Sequence, residues 1–184
     1  VRVLRVEQGG QTIQFAALGK VTYGDAPVNL AASASSGLPV SYVVVSGPAR
    51  GNGATLTVTG AGEVVVRASQ PGDANTVAAT PVEQLLVVEP RVLTVAVKAA
   101  SREYGQANPA FALEYTGLVN GDTAEAVTAP VASTEATATS VPGSYAVRLS
   151  GGTAANYTLR RQDGTLTVTK AAQVISFPAP LNQA

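Results

Sequence analysis

Turn-forming residues interrupt the chain at short intervals, and this feature limits the folds open to it. In the first half the interruptions read YGDAP, SSGLP, SGPARGNG, TGAG and QPGDAN, and each contains the Gly, Pro, Asn or Asp residues that turns require. They recur every roughly 8 to 14 residues, and the segments between them alternate polar and apolar positions. Short alternating strands without long helices indicate an antiparallel β-sandwich or barrel, so we expect an all-β fold.

The alternating segments predict six strands in each half of the chain. In the first half they are 11–15, 28–34, 40–46, 54–58, 62–68 and 82–88. In the second half they are 92–98, 111–116, 128–134, 144–150, 156–161 and 165–169. One short helix is predicted at 122–127, where Asp122 or Thr123 could cap a turn or two before Pro130. The Asp163-Gly164 pair between two alternating segments predicts a hairpin with a type I′ turn.

The sequence repeats its own beginning near its end. Residues 4–17 align without a gap on residues 166–179, so that Gln11 falls on Gln173, Ile13 on Ile175 and Phe15 on Phe177, each 162 positions further on. Such registration indicates a tandem array, of which this chain contains one full period.

A second spacing divides this period into two modules. Tyr23-Gly24 and Tyr104-Gly105 lie 81 positions apart, half of 162, and the boundary between the modules is expected near Pro90. We therefore predict four parts: the last strand of a preceding module (1–9), a first module (10–89), a second module (90–170) and the first strand of a following module (171–184). A junction with no Gly/Ser spacer and a proline favours a semi-rigid connection.

The predicted cores consist of the inward-facing apolar positions of the strands. In the first module they are Phe15, Leu30, Tyr42, Val44, Leu56, Val58, Val64, Val66 and Leu86. In the second module they are Leu93, Val95, Val97, Phe111, Leu113, Tyr115, Tyr145, Val147, Tyr157, Leu159, Leu166 and Val168.

Composition excludes several classes of function. Twelve basic residues balance twelve acidic ones, which disfavours nucleic acid as a partner, and the apolar runs are too short for membrane insertion by a helix. His and Cys are absent and the acids are scattered singly, so we expect no enzyme and no catalytic residues.

Both halves resemble repeats of bacterial surface proteins. The second half, with LTVAVKAASREYGQANPAFALEYTGLVNGDT, PGSYAVRLSGGTAANYTL and DGTLTVTK, resembles the MBG domain of YG type found in large bacterial adhesins and filamentous-haemagglutinin-like exoproteins. The first half, with QTIQF, YGDAP, ASASSGLPVSY and LTVTGAGEVVVRASQPGDAN, resembles bacterial immunoglobulin-like repeats. It departs from that pattern at Asn75-Thr76, where Asn-Tyr is usual and a ring would pack on the sheet.

The resemblance implies two tandem immunoglobulin-like β-sandwich modules in a secreted or surface-located bacterial protein. A β-grasp-like second module, with the helix at 122–127 lying on the sheet, is the alternative. The expected function is a non-enzymatic structural spacer repeat of a large extracellular adhesin, which forms a semi-rigid stalk. Its partners are the neighbouring repeats of the same polypeptide, and a host or surface glycan is the candidate partner at a distal tip. Two alternatives are direct binding of glycan or mucin, and a surface filament in which strands 1–7 and 173–177 complete sheets of neighbouring chains.

Few side chains are candidates for a chemical role. We expect no bound cofactor. Ca²⁺ at the inter-module junction near Glu89 is the one metal site considered. The other candidate acids, Asp25, Asp73, Asp122 and Asp163, lie in separate turns and are assigned to turn formation. Lys98, Glu114 and Asn156 are the trio for a spontaneous amide cross-link, but alternation places Lys98 on the solvated face. The six tyrosines are expected to pack at sheet ends, with their hydroxyls bonded to backbone or water.

Overall fold

The fold is all-β, as predicted. The computed structural model describes residues 7–176; these contain 18 strands and one short 3₁₀ turn. The strands of the first half are β1 (Ile13–Phe15), β2 (Gly19–Thr22), β3 (Val28–Asn29), β4 (Ala32–Ala34), β5 (Ser41–Ser46), β6 (Ala49–Asn52), β7 (Thr55–Val58), β8 (Gly62–Ser69) and β9 (Val82–Glu89). Those of the second half are β10 (Arg91–Val97), β11 (Ala100–Glu103), β12 (Leu113–Thr116), β13 (Val127–Thr128), β14 (Val131–Ser133), β15 (Gly143–Ser150), β16 (Thr153–Ala154), β17 (Tyr157–Gln162) and β18 (Gly164–Thr169).

Each half contains one four-stranded sheet of the same design. The orders are β2-β9-β8-β5 and β11-β18-β15-β14. In both sheets the first strand pairs in parallel with the last strand of its half, β2 with β9 and β11 with β18, and the remaining pairs are antiparallel. Smaller sheets, in the orders β3-β7-β6, β12-β10-β17, β1-β4 and β13-β16, contain the other strands.

The described residues form two compact units. The first comprises residues 7–93, 117–128 and 153–159, and the second comprises 94–116, 129–152 and 160–176. Fully buried side chains of the first unit include Leu56, Val64, Val66 and Leu86. In the second, Val97, Ala136, Val147 and Leu166 form the buried cluster, against which half-buried Phe111, Leu113 and Tyr145 pack.

The predicted core residues are all buried or half-buried, but two of those predicted for the second module belong to the first compact unit. Those left half-buried are Tyr42, Val44, Val58, Phe111, Leu113, Tyr115, Tyr145 and Leu159. Leu93 and Tyr157, predicted for the core of the second module, are buried in the first compact unit instead. The module boundaries themselves remain a prediction. The strand proposed at 1–7 lies outside the described residues except for Glu7, and 177–184 lies outside them entirely.

Two predicted strands are each divided, because their two ends pair with different partners. In 28–34, β3 pairs with β7 whereas β4 pairs with β1; in 128–134, β13 pairs with β16 whereas β14 pairs with β15. The alternation of side chains continues across such a crossing, so the sequence alone does not reveal it. Strands β2, β6, β11 and β16 were not predicted.

The predicted hairpin at Asp163-Gly164 is wrong. Strand β17 belongs to the sheet β12-β10-β17, whereas β18 pairs with β15 and β11, so the chain changes sheets at Asp163. Neither residue adopts a positive φ. Gly164 is required instead for close packing, because an added Cβ would lie 2.7 Å from Cβ and 2.8 Å from the carbonyl oxygen of Val97.

The predicted helix at 122–127 is also wrong in length. Only Ala124–Ala126 is helical, as one 3₁₀ turn capped by Thr123, and none of its residues is buried. A helix packed on the sheet, as the β-grasp alternative requires, is therefore not formed by this segment.

We expect Gly164→Ala to destabilise the protein by about 1–3 kcal/mol, because the new methyl group would overlap Val97. Gly143→Ala is the matched control, since Gly143 also begins a strand and its nearest neighbour to an added Cβ is 3.9 Å away. Urea unfolding measures both. Equal midpoints for the two variants would contradict the packing role of Gly164.

Candidate functional site

Tyr23, Asp122 and Tyr157 form a tyrosine–aspartate cluster within the first unit. Both tyrosine hydroxyls donate to Oδ2 of Asp122, at 3.1 Å from Tyr23 and 2.7 Å from Tyr157. The two rings meet edge to face, with centroids 5.5 Å apart, and their exposures are 3% and 4%. One carboxylate thus joins three segments that are distant in the sequence.

Local structure places each member of the cluster. Tyr23 directly follows β2, where its N–H donates to the carbonyl of Glu89 at 2.9 Å. Asp122 ends a turn in which its N–H donates to the carbonyl of Val119 at 2.9 Å. Tyr157 is the first residue of β17, and its hydroxyl accepts the N–H of Val119 at 3.1 Å. The turn from Val119 to Asp122 is therefore held by hydrogen bonds to its backbone and by the hydrogen bond from Tyr157 to the side chain of Asp122.

The electrostatics of the cluster favour a neutral phenol. Burial, and next the hydrogen bond to Asp122, raise the pKa of Tyr157 above the ordinary value of 10.0. A phenol with a raised pKa is a hydrogen-bond donor rather than a base or nucleophile. The arrangement therefore holds three segments of the chain together through hydrogen bonds.

The chain immediately after Pro90, where the boundary between modules is predicted, is fixed by bonds from Arg91. Its N–H donates to the carbonyl of Asn156 at 3.0 Å, and Nη1 donates to the carbonyl of Tyr23 at 3.3 Å. The guanidinium also lies 3.7 Å from Asp25. These groups belong to the first unit, so the chain that leaves β9 is held immediately after Pro90.

The four aspartates assigned to turns have different partners. Asp25 accepts the N–H of Thr22 at 2.8 Å, and Asp73 accepts that of Asn75 at 2.9 Å, as turn formation predicts. Asp163 bonds instead to the N–H of Leu149 on a neighbouring strand, and Asp122 belongs to the tyrosine–aspartate cluster.

The acids do not converge on a metal site in the described part of the chain. Glu89, the residue considered for Ca²⁺, pairs with Lys20 at 2.9 Å. Within residues 7–176 no three acidic side chains are grouped closely enough to hold a metal ion.

The three residues considered for an amide cross-link lack the required burial. Lys98 is exposed, as the alternation predicted, and Glu114 is exposed as well. The side-chain oxygen of Asn156 accepts the N–H of Ala61 at 2.9 Å. The reacting lysine of such a cross-link should point inward, and this one does not.

The tyrosine hydroxyls bond in two ways: some bond to backbone groups, as predicted, whereas those of Tyr23 and Tyr157 donate to the carboxylate of Asp122. Tyr42 accepts the N–H of Ala32 at 2.6 Å, and Tyr145 donates to the carbonyl of Val141 at 2.7 Å. Tyr104 is 44% exposed and lies on a groove of about 600 Å³ in the second unit. We call this the Tyr104 groove; it is lined by Tyr104, Val141, Pro142, Lys170, Ala171 and Gln173.

The sequence did not predict that Arg102, two residues before Tyr104, is buried. Arg102 is 8% exposed; its Nε donates to Oδ1 of Asn108 at 2.7 Å and its Nη2 to the carbonyl of Thr137. Asn108 in turn donates to the carbonyl of Ala136 at 2.6 Å. Alternation in Ser101-Arg102-Glu103 gives no signal for burial, because all three side chains are polar.

Known proteins are similar to the chain in part. Residues 93–167 match the family model of the MBG domain (YGX type), which bears out the resemblance of the second half; that match covers less than half of the chain. Comparison with curated proteins gave no significant match. Within residues 7–176 no helix is long and apolar enough to cross a membrane.

Two solved structures are also similar. The Drosophila N-cadherin EC1-4 crystal structure is 13% identical with a TM-score of 0.31, and the alignment covers 86% of this chain and 51% of that one. The EC1-3 structure is 11% identical with a TM-score of 0.28, covering 87% and 68%. The chain thus spans about half the length of the first of these.

We expect Tyr157→Phe to lower the free energy of unfolding by about 1–3 kcal/mol at neutral pH, because the hydrogen bond to a carboxylate is lost. The folded protein holds the Tyr157 proton more tightly than the unfolded chain. This stabilisation is therefore fully present below about pH 10 and is lost as the pH rises through the raised pKa.

Urea titrations from pH 7 to about 11 test this effect. The difference in stability between wild type and Tyr157→Phe should narrow above pH 10. Tyr115→Phe, outside the cluster, is the control and should show no such narrowing. A difference that stays constant over the range would contradict the coupling.

Proposed function

We propose that the chain is a non-enzymatic structural repeat of a large bacterial extracellular adhesin, in which successive modules form a semi-rigid stalk. The observation that carries this proposal is the junction at Pro90. Only that residue separates β9 from β10, and Arg91 immediately after it bonds to the carbonyls of both Tyr23 and Asn156. A connection that is short and hydrogen-bonded to two distant segments of the chain restricts bending.

The location and partners follow from the same proposal. The match of residues 93–167 to the MBG family model supports a secreted or surface-located bacterial protein, because the resemblance associates that domain with such adhesins. Neighbouring repeats of the same polypeptide are the partners. A glycan is bound only at a distal tip, and a formal net charge of zero gives no attraction to nucleic acid.

Small-angle scattering with a flexible insertion tests the stiffness of the junction. We expect a Gly-Gly-Ser-Gly insertion between Glu89 and Pro90 to broaden the distance distribution, because Arg91 would lose its fixed position. The same insertion between Asp73 and Ala74, which are exposed, is the control and should leave the distribution unchanged. If the junction insertion also changes nothing, the junction is already flexible and the stalk proposal is wrong.

The molecular mass from the same scattering measurement distinguishes the spacer from the alternative, a filament assembled by strand addition. A spacer stays monomeric as its concentration rises, whereas strand addition between chains gives a mass that grows with concentration.

Direct glycan binding is a second candidate function, favoured by the exposed ring of Tyr104. Aromatic rings stack on sugars, and Lys170, which lines the same groove, can donate hydrogen bonds. A glycan array with the wild type and Tyr104→Ala distinguishes the two functions. Hits that disappear in the variant would support binding, and the spacer proposal expects none.

A further inference from the structure

The two Tyr-Gly turns have the same backbone structure. Tyr23 N–H donates to the carbonyl of Glu89 at 2.9 Å, and Tyr104 N–H donates to that of Thr169 at 2.9 Å. Each turn follows the strand that pairs in parallel with the last strand of its half. Gly24 and Gly105 have φ values of 85° and 87°. The turns are therefore structural equivalents, 81 positions apart in the sequence.

Their surroundings differ. Tyr23 is 3% exposed beneath Tyr157, and the side chain of Val119 lies so close to Gly24 that an added Cβ would collide with it. Tyr104 is 44% exposed, and an added Cβ at Gly105 would meet nothing within 4 Å. The second turn thus has an open surface where the first is covered.

The residues that pack on the Tyr23-Gly24 turn, and Asn156 next to one of them, have counterparts 81 positions earlier in the sequence. Val119 and Asn156-Tyr157 correspond, 81 positions back, to Leu38 and Asn75-Thr76. The backbone supports the second correspondence, since the carbonyl of Asn156 accepts the N–H of Arg91 at 3.0 Å and the carbonyl of Asn75 accepts that of Gly9, 82 positions before Arg91, at 2.8 Å. Gly9 in turn corresponds to Ala171, 162 positions later, which lines the Tyr104 groove.

The chain that leaves the groove repeats the sequence of the first half. Gln173 and Ile175 correspond to Gln11 and Ile13. Ile13 is 8% exposed in β1, whereas Ile175 is 75% exposed. The segment 171–176 is thus exposed along its length, although its sequence repeats that of a segment that contributes a buried residue to β1.

We propose that the Tyr104 groove is the docking site for the repeat that follows in the same polypeptide. The counterpart of Leu38 in that repeat packs on Gly105, as Val119 packs on Gly24. The carbonyl of its Asn75 counterpart accepts the N–H of Ala171, and its Thr76 counterpart covers the Tyr104 ring. This inference rests on the proposed stalk function and adds the surface through which one period joins the next.

Nitration by tetranitromethane, read at residue level by mass spectrometry, tests the docking. The test protein contains two copies in tandem: a first copy of residues 1–184, followed directly by a second copy of residues 23–184. The second copy begins at residue 23 because Ala184 corresponds to Thr22 in the 162-residue repeat. The second copy carries Tyr104→Phe, so that the nitrated peptide measured by mass spectrometry comes from Tyr104 of the first copy. We expect its nitration to be slower by roughly tenfold or more than in the single chain, because covered groups react only after local opening. Equal rates would overturn the proposal.

Two exposed valines provide a matched pair of variants. Val141 lies in the groove and is 67% exposed, whereas Val131 lies on β14 outside it and is 66% exposed. Val141→Glu in the first copy should restore the nitration rate of Tyr104, and Val131→Glu should not. Restoration by both variants, or by neither, would contradict docking at the groove.

The same tandem separates this proposal from the stalk proposal. An extended particle in small-angle scattering with Tyr104 unprotected overturns the docking and leaves the stalk. A compact particle with Tyr104 protected overturns the stalk and leaves the docking. Protection of the single chain by a soluble glycan, without protection in the tandem, would make the groove a ligand site and overturn the docking.

Discussion

Parallel pairing between an early strand and the last strand of each half is the constraint on which the rest of the structure depends. It places Tyr23 beside the end of β9 and Tyr104 beside the end of β18. Parallel neighbours require a long crossover between them, so almost every other strand of a half lies within that connection. The turn that follows each early strand is thereby brought beside the last residue of β9 or of β18.

The tyrosine–aspartate cluster forms around Tyr23, in the position beside the end of β9 that the parallel pairing gives it. Asp122 lies 99 positions from Tyr23 in the sequence and 35 from Tyr157, yet one of its oxygens accepts both hydroxyls. Buried hydroxyls need acceptors, and a shared carboxylate satisfies two donors at once. Residues of the second half of the sequence therefore complete the first compact unit.

The sequence was informative where strands are long and buried. Strands β8 and β9 were predicted almost to their ends, because alternating valine and leucine positions face one core. By contrast, β2 and β11 read GKVT and ASRE; their strand identity comes from the partner strand rather than from their own residues. The Asp163-Gly164 pair misled for a related reason, since sheet packing against Val97 outweighed local turn preference.

The candidate site was predictable only in part. The Tyr-Gly spacing pointed to both turns, and the exposure of Lys98 followed from alternation. The partners of Asp122 could not be found, because no local pattern links residues so far apart in sequence. The burial of Arg102 was not predicted because Ser101, Arg102 and Glu103 are all polar and because one of its acceptors, the carbonyl of Thr137, is 35 positions away.

The parallel arrangement of β2 and β9 has a mechanical consequence. Tension applied to the two ends of the chain pulls β2 and β9 in opposite directions along their shared axis. The hydrogen bonds between Gly19–Thr22 and Leu86–Glu89 then bear the load side by side, in shear, rather than opening one after another like a zipper. The pair β11 and β18 is loaded in the same way, so each half carries its own clamp against extension.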